Sequence, residues 1–202
     1  VPCDSDSIVE SKSFKLYLNS FIQTQFVSME AVQAQLIKDL SAATGAEVEV
    51  VLYEIAEYQG VQPISEPQGL CIDRQPLVID AYSRDASLLA LESDTEVNET
   101  LYSHLLKTNC PVTDQPDWAS VYIFYKGPKI DRAGLLKYIV SYRQHQDFHE
   151  QCVEQVFLDI MASCAPTELS VYARYMRRGG LDINPFRSNH LSRPPLFRQV
   201  RQ

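Results

Sequence analysis

Between residues 10 and 21 the apolar side chains Phe14, Tyr17, Leu18 and Phe21 recur three to four positions apart, so an amphipathic helix is expected there. Ser28 opens a second helix whose apolar stripe is Val32, Leu36 and Leu40. Its hydroxyl can cap the first turn, and Gly45 stands just past the end where a left-handed residue closes a helix. Residues 47–53 alternate apolar and charged side chains like a strand with one buried face, and residues 77–82 are again apolar. The Pro/Gly-rich loop over 60–69 would join the two as a hairpin. Residues 83–97 are acidic with weak periodicity, and are expected to connect two halves of the chain.

After that connection the pattern begins again. Residues 100–107 and 120–125 read as strands, 131–143 and 148–164 as helices, 169–175 as a strand and 196–200 as a last one. Laying residues 130–142 over 9–21 matches Asp131 with Glu10, Leu135 with Phe14, Tyr138 with Tyr17 and Ser141 with Ser20. The inference is an α+β chain of two copies of one module, in which two strands, two helices and two more strands form an antiparallel sheet with the helix pair on one face. Residues 1–90 hold the first copy and 91–202 the second. Only residues 1–9 precede the helices of the first copy, so its N-terminal strands are absent, and loss of an N-terminal portion is the expected reason.

With 202 residues and 45% hydrophobic composition, the chain can bury one sizeable core or two modest ones. The formal net charge of −8 argues against a nucleic-acid partner gripped through its phosphates. No apolar run approaches the roughly 20 residues of a membrane span, and VPCDSDS at the start is not a signal sequence, so a soluble, cytoplasmic protein is expected. Five widely spaced cysteines without a CxxC pair indicate neither a disulfide framework nor a zinc knuckle. Cys71, Cys152 and Cys164, inside regular elements, read as small buried hydrophobes.

Cys110 is different, because it stands in a polar, proline-flanked loop (Asn109-Cys-Pro-Val-Thr-Asp-Gln-Pro-Asp117) between two expected strands. Exposure favours a thiolate nucleophile, and a carboxylic acid seven residues on could deliver a proton to whatever the thiolate attacks; a structural cysteine is the competing reading. His149 and Glu150 fall in the first turn of a helix. There a glutamate simply complements the helix dipole, or, at a cavity edge, accepts from the adjacent ring N–H and amine of a guanine-like base. The His149–Cys152 spacing fits two metal ligands on one helical face, with no third or fourth to complete a site. Arg174, Arg177 and Arg178 run into Gly179-Gly180, which reads either as a solvated strand end or as a phosphate contact. Lys12 and Lys15 are equally open. Only seven glycines and no GxGxxG leave no Rossmann site for a dinucleotide.

Four ordered motifs, Glu10-Ser-Lys-Ser-Phe-Lys-Leu-Tyr17, Cys110 to Asp117, Phe148-His-Glu150 and Arg178-Gly-Gly-Leu-Asp-Ile-Asn-Pro185, together span essentially the whole chain. In this combination the chain resembles the 7-cyano-7-deazaguanine reductases of queuosine biosynthesis, in their long, two-module form within the tunnelling-fold superfamily. The resemblance implies a tandem tunnelling fold and NADPH-dependent reduction of 7-cyano-7-deazaguanine to 7-aminomethyl-7-deazaguanine through a covalent thioimide. It assigns Cys110 as nucleophile and Asp117 as proton donor. Val9, Glu10, Ser11, His149 and Glu150 would hold the deazaguanine, and Ser11, Lys12, Arg178 and Gly179 would contact NADPH. It further implies a homo-oligomer, a dimer or larger, and no bound metal. Two other classes remain open at this point. One is a binding module for deazapurines or pterins without redox chemistry; the other is a metal-dependent cyclohydrolase on the same fold.

Overall fold

The computed structural model describes residues 1–58, 61–65 and 67–202, and these form two compact units. The first unit comprises Val1–Pro63 with Gly179–Leu181, and the second Ile64–Arg178 with Asp182–Gln202. Part of the loop expected over 60–69, at Gly60 and Glu66, lies outside the described residues.

In the first unit, α1 (Ser11–Ser20) and α2 (Met29–Thr44) are the two helices read from the apolar stripes. The Glu10 carboxylate caps α1 by accepting from the backbone N–H of Lys12 at 2.9 Å and Ser13 at 2.8 Å. Ser28 caps α2 through Ala31 at 3.2 Å, and Gly45 ends it at φ 72°, where any side chain would be strained. A single turn, α3 (Ile55–Tyr58), follows. Residues 47–53, expected as a strand, carry no ladder among the described residues. Alternation marks a buried face, seen at Val48, but a strand also needs a partner edge.

The second unit is a five-stranded sheet in the order β1-β2-β3-β4-β5, comprising β1 (Leu70–Cys71), β2 (Leu91–Asn109), β3 (Pro116–Ile130), β4 (Glu168–Tyr175) and β5 (Phe186–Ser188). Helices α4 (Arg132–Ser141) and α5 (His149–Cys164) lie between β3 and β4 in sequence. All neighbours pair antiparallel except the two-residue β1, which adds to β2 in parallel. The strand–strand–helix–helix–strand–strand order is the expected α+β module. Ala119, Val121, Ile123 and Tyr125 of β3 and Leu169, Val171, Ala173 and Tyr175 of β4 share one sheet face by their period of two. They form one buried cluster with Leu135, Leu136 and Ile139 of α4 and Val153, Val156 and Ile160 of α5.

The acidic stretch read as a connection is the first half of β2, preceded by a one-turn 3-10 helix at Ala86–Leu88. Glu92, Asp94 and Glu96 are exposed on a strand whose pairing with β3 shifts register twice there, so no alternation betrays it. Residues 77–82 are not a strand, although Leu77 and Ile79 pack on the core. The expected strand at 196–200 is also absent. Phe197 is used instead as a ring set edge-on against Tyr122 and Tyr172, and Arg198 makes one isolated bridge to Ile64.

The two helix pairs share their internal bonding. Asp131 caps α4 by accepting from the N–H of Ala133 and Gly134, as Glu10 caps α1. Tyr17 Oη donates to Asp39 at 2.7 Å, and Gln35 also binds that carboxylate. Tyr138 Oη donates to Asp159 at 2.6 Å, joined by Gln155. Ser20 and Ser141 each donate to the carbonyl three residues earlier, at 2.6 and 2.7 Å. Sequence alignment had matched the first helices, and the shared Tyr–Asp–Gln contact extends that match to the second helices.

Candidate active site

The second unit builds its site where β2 ends. Asn109 N–H donates to the His145 carbonyl at 2.8 Å, and Asp147 N–H to the Asn109 carbonyl at 3.2 Å, which ties the strand end to the segment leading into α5. The Lys107 ammonium reinforces the junction through Asn109 Oδ1 and the Arg143 carbonyl. The chain then turns back on itself. Cys110 N–H donates to the Gln115 carbonyl and Asp114 N–H to the Cys110 carbonyl, both at 2.9 Å, with Asp114 at φ 55°. Gln146 holds the turn by donating to Asp114 at 2.7 Å. Pro116 starts β3, so Asp117 is its second residue, and it meets α5 through His149.

The Asp117 side chain is 3% exposed, and both its oxygens are taken. Arg178 Nη1 reaches Oδ1 at 2.8 Å, and His149 Nε2 lies 3.1 Å from Oδ2. The other arm of the Arg178 guanidinium donates to Gln115 Oε1. The His149 ring lies flat on Tyr175, with centroids 3.7 Å apart and planes 6° from parallel, while its buried Nδ1 meets no partner among the described residues. Tyr175, Thr108 and Cys152 are all fully buried; burial pushes the Cys152 thiol up to about 12, which makes it inert.

Cys110 itself is half-buried. Burial raises its thiol, but hydrogen bonding to the Thr113 hydroxyl, to the N–H groups of Val112 and Thr113 and to the Arg178 guanidinium outweighs burial, so the thiol lies below the ordinary value. The arrangement ties a thiol of lowered pKa, at the start of the turn, and a buried carboxyl group, just past its end, to the same Arg178 side chain; these are the two groups that nucleophilic addition with proton transfer requires. Glu150 stands half-buried in the first turn of α5, next to His149.

Among the expected site residues, Cys110, Asp117, His149, Glu150 and Arg178 belong to this second unit, while Val9, Glu10, Ser11, Lys12 and Gly179 belong to the first. There Val9, Glu10 and Ser11 are half-buried, and the Glu10 carboxylate is engaged by the start of α1, whose N–H groups lower its pKa. Lys12 and Lys15 stand on successive turns of α1. Gly179 has φ 59°, and a Cβ there would meet the Lys15 ammonium at 2.9 Å. Bare backbone at Gly179 beside the Lys15 ammonium leaves the kind of room a phosphate could use. Sequence reasoning gave no role to Gln115, Thr113 or Tyr175. The first two lie inside the quoted cysteine motif, and Tyr175 carried only the signal of a core aromatic.

No three His, Cys, Asp or Glu side chains among the described residues are grouped to hold a metal ion, and the His149–Cys152 pair serves Asp117 and the core instead. No helix is long and apolar enough to cross a membrane among those residues.

Comparisons with known proteins give the family. Residues 1–52 match the model described as "Nitrile reductase, 7-cyano-7-deazaguanine-reductase N-term", and residues 116–194 the model "QueF-like protein". An NADPH-dependent 7-cyano-7-deazaguanine reductase of Saccharophagus degradans is 59% identical over 198 residues, covering 98% of this chain and 72% of that protein. One from Paraburkholderia phytofirmans is 58% identical over 204 residues, covering 100% and 74%. Among solved structures, an apo archaeosine synthase QueF-Like aligns with TM-score 0.41 and 18% identity, over 48% of this chain and 95% of that one. With this identity over most of both relatives, the chain belongs to the NADPH-dependent 7-cyano-7-deazaguanine reductase family.

Proposed function

We propose that Cys110 and Asp117 carry out the family's reaction, the reduction of 7-cyano-7-deazaguanine to 7-aminomethyl-7-deazaguanine, which belongs to queuosine biosynthesis. The observation that carries this reading is the lowered thiol of Cys110 in a turn closed onto a strand that presents a 3%-exposed Asp117. The Cys110 thiol gives its proton to the Asp117 carboxylate and adds to the nitrile carbon as thiolate, a C–S bond forms as one C–N π bond opens, and the nitrogen takes that proton back from Asp117. The product is a thioimide on Cys110. Two NADPH molecules bound in succession would each supply one hydride, which together with protons would carry the carbon from nitrile to amine. Expulsion of the thiolate after the first reduction returns Cys110 unchanged. A bare nitrile is a poor hydride acceptor, so covalent activation lowers the barrier that matters.

Glu150 is suited to the guanine edge, where one carboxylate accepts from both the ring N–H and the exocyclic amine. His149, held flat by Tyr175, and Val9, Glu10 and Ser11 are the other residues assigned to the deazaguanine. Ser11, Lys12, Arg178 and Gly179 would meet NADPH; the open backbone at Gly179 supports this assignment. The same reading divides the chain into modules at 1–90 and 91–202, supported by the repeated cap and the Tyr–Asp–Gln contact. A homodimer or larger homo-oligomer in the cytoplasm completes it, with light scattering as the check on assembly. Cys110→Ala should leave a folded protein that forms no adduct with the nitrile, and an adduct on that variant would refute the assignment.

A further inference from the structure

We infer that Arg178 belongs to the covalent half of the site as a positioning residue, holding the Cys110 sulfur and the Asp117 carboxyl in register before any cofactor binds. The inference rests on Cys110 being the nucleophile, and it gives Arg178 a task separate from contact with NADPH.

The geometry is that of one planar group with three tasks. Nη1 meets Asp117 Oδ1 at 2.8 Å, Nη2 meets the side-chain oxygen of Gln115, whose backbone carbonyl accepts from Cys110 N–H at 2.9 Å, and the same guanidinium is one of the groups that lower the Cys110 thiol. These three residues lie at the two ends of the Cys110 turn and the start of β3. Arg178 enters from beyond β4, the strand paired with β3 as far as Ala119↔Tyr175. A guanidinium presents its donors in a fixed fork, so one residue fixes the relative position of nucleophile and acid, which lysine's single ammonium cannot do. Arg178 is half-exposed, with its side chain at 32%, whereas Asp117 is nearly sealed. The charge pair is therefore anchored from the Asp117 side.

The other charged or titratable groups on the surrounding elements have different work. Lys107 binds Asn109 and the Arg143 carbonyl, Asp114 accepts from Gln146, and His145 lies 3.7 Å from Asp147. His149 holds the far oxygen of Asp117, and Glu150 stands beside it in α5. Among them Arg178 alone is a cation that lowers the Cys110 thiol.

The test needs no cofactor. Alkylation of Cys110 by iodoacetamide, followed by peptide mass mapping across pH without NADPH, reports the thiolate directly. In Arg178→Gln the Cys110 profile is expected to move to higher pH, with about tenfold slower alkylation at neutral pH for each unit of movement. Arg178→Lys should restore the profile in part, because it keeps the charge and loses the fork. Thioimide formation with 7-cyano-7-deazaguanine, again without NADPH, should slow in both variants, and more than the thiolate fraction alone accounts for, since Asp117 also loses its anchor. Superimposable alkylation profiles for wild type and Arg178→Gln would overturn the inference, and so would unchanged thioimide rates. A shifted profile in a protein that never forms the thioimide would keep the Arg178–Cys110 contact and refute the nitrile-reductase reading instead.

Discussion

Replacing Asp117 by asparagine isolates the acid from the shape that holds it. The side chain is 3% exposed and is bonded on one side to Arg178 Nη1 at 2.8 Å and on the other to His149 Nε2 at 3.1 Å. An asparagine carboxamide fits that slot: its oxygen still accepts from Arg178, and its amide can donate to His149 when the imidazole proton sits on Nδ1. Loss of the charge weakens one charge-assisted bond to a half-exposed arginine, a cost of roughly 1–2 kcal/mol. Thermal midpoint should accordingly fall by only a few degrees. The effect on chemistry is larger, because a positioned general acid contributes about 10²–10⁴-fold, or about 2.7–5.4 kcal/mol at 1.36 kcal/mol per decade. Mixing enzyme and nitrile and following the thioimide by time-resolved intact-mass measurement reads this step without NADPH. Asp117→Asn should form the adduct at least a hundredfold more slowly, with little change in melting. Adduct formation within about tenfold of wild type would show that Asp117 is not the proton source.

Glu150→Ala should weaken binding of the aminomethyl product by about 1.5–3 kcal/mol, the value of hydrogen bonds to a charged group; unchanged affinity by calorimetry would remove Glu150 from recognition. Gly179→Ala forces a side chain onto φ 59° and into the Lys15 ammonium 2.9 Å away, so the KM for NADPH should rise while thioimide formation, which needs no cofactor, keeps its rate. If both parameters stay at wild type, the cradle is not a cofactor contact. Arg84 binds Asp159 through two hydrogen bonds of 2.9 and 3.0 Å, and Arg84→Met should cost about 1–3 kcal/mol, discounted because the Arg84 side chain is 31% exposed. Burial raises the Asp159 carboxyl, but bonds from Arg84, Tyr138 and Gln155 outweigh it and leave it below the ordinary value. Such a group contributes stability that is complete above about pH 4 and lost as pH falls through its folded pKa. Chemical denaturation between pH 7 and pH 2 should therefore show the wild-type advantage over Arg84→Met shrinking toward acid, and a constant difference would contradict the pairing.

The helices were legible because their signals are local. The stripe Val32, Leu36, Leu40 between Ser28 and Gly45 needs no partner to be read, and α2 runs between those two caps. Strands were legible where the chain is buried. β3 and β4 were found as short, largely apolar runs and are buried along most of their length, whereas the exposed acidic half of β2 pairs without alternating, and residues 47–53 alternate without pairing. At the site, Cys110 stood out as a loop thiol in a polar, proline-flanked setting, and Asp117 as a carboxylic acid seven residues on, directly after Pro116. What lent them chemistry could not be read from spacing. Arg178 is 61 residues from Asp117, and it meets the carboxylate only because β4 pairs with β3. Tyr175 looked like a core aromatic, and it is one; its second use as the bed for His149 is visible only once α5 lies over β4.

The most direct test of the central claim is intact-protein mass spectrometry of the wild-type chain after incubation with 7-cyano-7-deazaguanine, followed by addition of NADPH. Addition has no leaving group, so the account predicts a gain equal to the whole nitrile, located at Cys110 and discharged by NADPH with release of the aminomethyl product. A well-folded protein that gains no mass, or a gain that maps to another residue, would contradict it.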